Sequence, residues 1–174
     1  MMRLCASTLL WLAMLVLTAC AQHPPLPEQT PALDLPLQLH VQRQDTDGVS
    51  DWILIVQQEG PALRWSLLDP LGVPLARQLL VDGRWQADGL LPPNPQARAL
   101  FAALLFALTP SADLHQLYPG RDVAEGPGWR SLMLNAASTW HVRYGKNQRF
   151  DLDVGPSLTY GVAPIESAAG AVSQ

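Results

Sequence analysis

From Leu37 to Val162 the apolar residues recur mostly at every second position, and a single stretch breaks that period. A period of two belongs to the strand, whose successive side chains point to opposite faces. Leu37, Leu39 and Val41 alternate with Gln38, His40 and Gln42, and Asp45-Thr46-Asp47-Gly48 supplies a turn. Trp52 to Val56 is apolar at every position, the pattern of a strand covered on both sides. Leu63, Trp65 and Leu67 alternate with Arg64 and Ser66; Asp69-Pro70-Leu71-Gly72 turns the chain, and Val73, Leu75 and Leu79 carry the next strand. Asp82-Gly83 and Asp88-Gly89 flank a short strand around Trp85. Further strands follow at Ser131 to Leu134, Thr139 to Tyr144, Phe150 to Val154 and Leu158 to Val162. Hairpin-linked strands of this kind make an antiparallel sheet.

The exception is helical. Asn94 is a capping residue, Pro95 suits the first helical position, and Ala97, Leu100, Phe101, Leu104, Leu105 and Leu108 follow at helical spacing. The helix stops before Thr109-Pro110. It is apolar nearly all round, so it must be buried, and a sheet with a concave face would bury it. A shorter helical turn is expected from Ser111 to Leu117. The fold class is therefore mainly β (α+β): an antiparallel sheet whose concave face buries an apolar helix.

The ends of the chain are different. Met1-Met2-Arg3 precedes an apolar run, Leu4 to Leu17, of 14 residues, short of the roughly 20 needed to cross a bilayer. The run closes on Leu17-Thr18-Ala19-Cys20, the form of a bacterial lipobox; the alternative is an ordinary signal peptide with an incidental cysteine. Residues 1–19 then form the signal peptide and Cys20 carries the lipid. Ala21 after the cysteine favours the outer membrane, periplasmic face. Residues 20–36, with Pro24, Pro25, Pro27, Pro31 and Pro36, are expected as an extended tether. The domain occupies 37–162, and 163–174 is expected as a flexible tail.

Composition excludes several functions. With one lysine, Lys146, scattered arginines and a net charge of -4, the chain lacks the cationic cluster of a nucleic-acid binder. Two cysteines, Cys5 and Cys20, cannot make a disulfide scaffold or a thiolate metal site once Cys5 leaves with the signal. There is no Gly-x-Ser-x-Gly elbow, no His-Glu-x-x-His pair and no phosphate-binding loop. His23, His40, His115 and His141 fall in four separate segments, and Asp151 and Asp153 share a strand face that reads as solvated. No catalytic residue, cofactor or metal is expected. Five tryptophans remain after cleavage, at Trp52, Trp65, Trp85, Trp129 and Trp140. They either pack a core or line a cavity wide enough for an acyl chain.

Two segments bear a family likeness. Arg64-Trp65-Ser66-Leu67-Leu68-Asp69-Pro70-Leu71-Gly72-Val73-Pro74-Leu75 resembles the strand–Pro-Leu-Gly–strand hairpin of LolB, the outer-membrane lipoprotein receptor. Trp140-His141-Val142-Arg143-Tyr144-Gly145 resembles a second LolB strand. Leu91-Pro92-Pro93 before the apolar helix is similar to an uncharacterised branch of LolB-like lipoproteins encoded near aryl-polyene and fatty-acid-type synthase genes; Thr109 stands where that branch has an aromatic residue. The likeness covers roughly Trp52 to Gly145. It implies the LolA/LolB type of half-barrel and a loop, Pro70, Leu71 and Gly72, whose protruding leucine delivers cargo to the membrane; the alternative is a leucine folded back on the sheet. It also implies a cavity lined by Trp52, Leu54, Leu63, Trp65, Leu67, Trp85, Leu100, Phe101, Leu104, Leu105, Trp140, Val142 and Tyr144. The partners expected are outer-membrane lipid, an acyl cargo or a lipoprotein, and a periplasmic carrier protein. The chain is expected to be a monomer and not an enzyme. The alternative function is an envelope scaffold with a filled core.

Overall fold

The structure, a computed structural model, describes residues 24–165 except Leu90, Pro93, Ala136, Ala137 and the side chain of Ser138. The expected signal peptide and Cys20 lie outside the described residues, as does the tail from 166 onward. Five strands come first: β1 (Leu37–Asp45), β2 (Gly48–Glu59), β3 (Ala62–Leu68), β4 (Pro74–Val81) and β5 (Arg84–Ala87). Two helices follow, α1 (Pro95–Leu108) and α2 (Ser111–Leu117). Then come β6 (Asp122–Gly126), β7 (Trp129–Asn135), β8 (Ser138–Tyr144), β9 (Phe150–Asp153) and β10 (Thr159–Pro164). All ten strands join one open antiparallel sheet in the order β5-β4-β3-β2-β1-β10-β9-β8-β7-β6.

That order and the position of α1 require curvature. Arg98 at the start of the helix bonds Gln78 of β4, while Arg130 of β7 reaches the carbonyl of Phe106. Those strands stand seven places apart in the sheet, on the order of 33 Å if it were flat. Arg98 and Phe106 are separated by only about 12 Å of helix. The sheet therefore curls around α1 as a half-barrel does. Asn94 caps the helix by accepting from the Ala97 N–H at 3.0 Å, and Pro95 occupies the first turn. Thr109 ends it with extended backbone, as the following proline demands. Leu100 to Ala107 are all buried, so the helix, apolar on every side, is the centre of the core. Phe101 packs on Trp65 and Trp85, and Phe106 on Trp140 and Tyr118.

Several local expectations change. The segment Asp122–Gly126 forms an edge strand that the sequence reading did not anticipate. It carries charge and has no apolar alternation because most of its side chains are exposed. Residues Val73, Leu75 and Leu79 do not form the inward row of β4. Ala76, Gln78 and Leu80 do so instead, paired with Leu67, Trp65 and Leu63, and Val73 and Leu75 are exposed. In β2 only Leu54 and Val56 are fully buried; Ile53 and Ile55 are half-buried on the convex face, so the expected cover on both sides is absent among the described residues. The part of the tether from Pro24 to Pro36 does not stand clear of the domain. Pro25, Pro27 and Pro31 are buried, Leu26, Leu33 and Leu35 pack against the core, and the Glu28 N–H donates to the Leu117 carbonyl at 2.9 Å. Its leucines provide the apolar area that holds it down. The sheet also outlasts Val162: β10 runs to Pro164 and the Ile165 N–H donates to Gln38 O, so these first residues of the expected tail are ordered by β1.

Glycine is required at one position for a steric reason. The Trp129 indole lies over Gly126, where an added Cβ would sit 2.5 Å from Nε1. Trp129 stacks on His141 on the convex face and is 38% exposed, unlike the other four tryptophans expected in the body.

Candidate functional site

The concave face is filled by α1 over most of its area, but not at one end. There a cavity of about 770 Å³ opens between the first turn of α1 and the sheet. The register explains why the end is defined. Asp45 pairs with Gly48, Ile53 with Leu68 and Gln44 with Thr159, which gathers the β1–β2, β3–β4 and β9–β10 hairpins on one side. Arg43, Trp52, Leu67, Leu75, Val154, Leu158 and Tyr160 project into the space from these strand ends and turns. Asn94, Gln96, Ala97, Ala99 and Leu100 close it from the helix, with Leu134, Asn135 and Trp140 on the far wall and the exposed Arg121 at the opening. Pro24 and Pro25 complete the rim. A space of this size, mostly apolar with a few polar groups at its edge, is in the range of small-molecule sites.

The wall has an ordered polar corner. Arg43 follows Leu39 and Val41 on the inward row of β1, pairs with Asp45, and lines the cavity together with Tyr160. Burial pushes the Tyr160 phenol up, so it remains a neutral donor. Trp52 leans on Tyr160 at 6.3 Å between ring centroids.

At the same end the β3–β4 hairpin projects. The Asp69 carboxylate accepts from the N–H groups of Leu71 at 2.9 Å and Val73 at 2.8 Å. The Asp69 N–H also donates to Val73 O, and the Gly72 N–H to Asp69 O, both at 3.0 Å. Gly72 supplies the positive φ of 84° that closes the turn. With its backbone so tied, Leu71 points outward and is 89% exposed. Of the two readings of that leucine, folded back or protruding, the structure has it protruding. Val49, Val73 and Leu75 are also exposed there, giving the cavity end an apolar fringe.

No protein-family model matches this chain, and no curated protein does.

Of the lining residues expected from sequence, Trp52, Leu67, Leu100 and Trp140 border the cavity. The rest do not. Leu54, Leu63, Trp65, Phe101, Leu104, Leu105 and Val142 are buried, with Trp85 and Tyr144 half-buried, in the packed part of the core. The physical reason is α1 itself, whose side chains fill the concave face beneath its last three turns. Tyr144 is consumed structurally: its hydroxyl donates to Ala107 O at 2.6 Å, and burial raises its pKa to about 12. Pro70 and Gly72 flank the exposed leucine as expected. The sequence reading missed Arg43 and Tyr160, although both continue an inward apolar row (Leu39-Val41-Arg43 and Leu158-Tyr160-Val162) and that periodicity carried the signal. It also missed Arg121, for which no local pattern exists.

Away from the cavity the titratable groups form ion pairs, Arg64 with Glu59 and Asp88 and Arg77 with Asp88. His40 meets Asp51 at 2.8 Å on the exposed face, His115 lies 3.9 Å from Glu125, and Arg143 sits between Asp151 and Asp153. Among the described residues no three His, Cys, Asp or Glu side chains cluster as metal ligands, and no helix is long and apolar enough to cross a membrane.

Proposed function

We propose that the chain is a non-enzymatic outer-membrane lipoprotein of the LolB-like type. It binds an acyl or polyene-lipid chain, or the acyl chains of a lipoprotein, in the cavity at its open end and helps deliver it to the outer membrane. The observation that carries this reading is the coincidence of the cavity mouth with the exposed Leu71 hairpin. A pocket alone would fit many ligands, and an exposed leucine alone would be a small liability. Together they give a hydrophobic ligand a short path between protein and bilayer. The proposed anchor agrees with this arrangement. Cys20 precedes Pro24 by four residues, a span of at most about 14 Å, and Pro24 forms part of the rim. Lipid attached at Cys20 would hold the mouth near the periplasmic face of the membrane.

The alternative, a non-catalytic envelope scaffold with a filled core, draws on the packed region around Trp65, Trp85 and Phe101. The two differ in whether the remaining cavity takes up a ligand.

Leu71→Glu tests the delivery step. Protein loaded with a fluorescent fatty acid is mixed with vesicles of phosphatidylethanolamine and phosphatidylglycerol, and transfer is followed. Losing the burial of one leucine, about 1.5–3 kcal/mol, should slow transfer by about tenfold or more with fatty-acid affinity unchanged. Transfer at the wild-type rate would show that Leu71 makes no membrane contact.

A further inference from the structure

We infer that the cavity selects an amphiphile with an anionic headgroup, a carboxylate or a phosphate, and that Arg121 with Arg43 receives that headgroup at the rim. The inference rests on the carrier reading above and adds the ligand's polarity and orientation.

The lining divides by depth. Leu67, Leu100 and Trp140 are at most 3% exposed and form an apolar floor. Arg121, by contrast, is exposed at the opening, in the turn after α2. The turn is held by backbone bonds from Arg121 N to Tyr118 O at 3.3 Å and from Val123 N to Arg121 O at 3.1 Å. A chain laid on the floor must leave its polar end among these rim groups.

Charge then decides which polar end fits. Arg43 and Arg121 are the charged residues among those lining the cavity. Arg43 pairs with Asp45, which neutralises it and fixes its position. Arg121 forms no ion pair among the described residues. Two guanidiniums less one carboxylate leave one uncompensated positive charge at the mouth. A neutral lipid seated there would strip water from that charge and give nothing back. An anion would pair with it, and the planar guanidinium fork suits two oxygens on one carbon or phosphorus.

The test uses the full mature chain carrying Cys20→Ala, so that no attached acyl group competes. Binding of hexadecanoate, hexadecyl phosphate and methyl hexadecanoate is measured at pH 8 by displacement of a fluorescent probe. At least one anion should bind about tenfold more tightly than the methyl ester, and the better of the two names the headgroup. Arg121→Gln, at an exposed position that leaves the fold intact by circular dichroism, should bring that ratio close to one, by weakening the anion and relieving the ester of the cost of desolvating the charge. Equal binding of anions and ester by the unsubstituted chain would overturn the inference while leaving the carrier reading standing. An anion preference untouched by Arg121→Gln would overturn the assignment to Arg121. Binding of none of the three would remove the carrier reading and this inference together.

Discussion

Arg130→Leu is expected to destabilise the protein by about 3 kcal/mol, lowering its melting temperature by about 6–12 °C. Arg130 is 6% exposed, and no carboxylate pairs with it among the described residues. Its charge is instead spread over the end of α1. Nη1 donates to Phe106 O at 3.2 Å and Thr109 O at 2.6 Å, and Nη2 to Ser111 Oγ at 2.9 Å. Helix carbonyls at a C-terminus lack intrahelical partners and carry the negative end of the dipole, so a buried cation there satisfies both needs. The guanidinium also lies 5.1 Å from the Tyr144 ring centroid and 5.9 Å from that of Phe106. Leucine fills similar space but leaves the Phe106 and Thr109 carbonyls without this donor in a dry site. Arg130→Lys, with one ammonium in place of the fork, should fall between the two. Thermal unfolding followed by circular dichroism checks the order; a leucine variant that melts with the wild type would refute this role for Arg130.

Ala97→Phe should strongly weaken ligand uptake while changing stability little. Ala97 is 3% exposed, faces the cavity from the first turn of α1, and its N–H is held by Asn94 whatever its side chain. A benzyl group placed there occupies volume that the protein leaves empty, so the apolar area it buries offsets much of any crowding. Affinity for a fluorescent fatty acid should fall at least about tenfold, with a melting temperature within a few degrees of the wild type. Unchanged uptake would mean that the ligand binds somewhere other than this cavity. A large fall in melting temperature would mean that the space is smaller than the structure shows.

The parts of this fold that were legible in the sequence are those fixed by neighbouring residues. Asn94-Pro95 and Thr109-Pro110 mark the ends of α1 because capping and proline sterics act within a turn. Asp69 to Gly72 marks a hairpin for the same reason. What remained hidden depends on contacts between distant segments. Whether Trp65 packs under the helix or Trp140 borders a void is decided by where α1 lies across ten strands, and no local period records that. The proline-rich segment showed its extended backbone, but the docking of Leu26, Leu33 and Leu35 required the body to exist first. Arg43 lay in plain sight on the inward row of β1 and passed as one more polar residue between Gln42 and Gln44.

The carrier function proposed above requires a hydrophobic ligand in the cavity. The most direct test is native mass spectrometry of the full chain carrying Cys20→Ala, secreted to the periplasm of its own host and compared with its denatured mass. A reproducible extra mass that extracts into organic solvent and disappears in Ala97→Phe is expected. A bare wild-type protein, with no uptake of added fluorescent fatty acid, would contradict the carrier function and leave the filled-core scaffold.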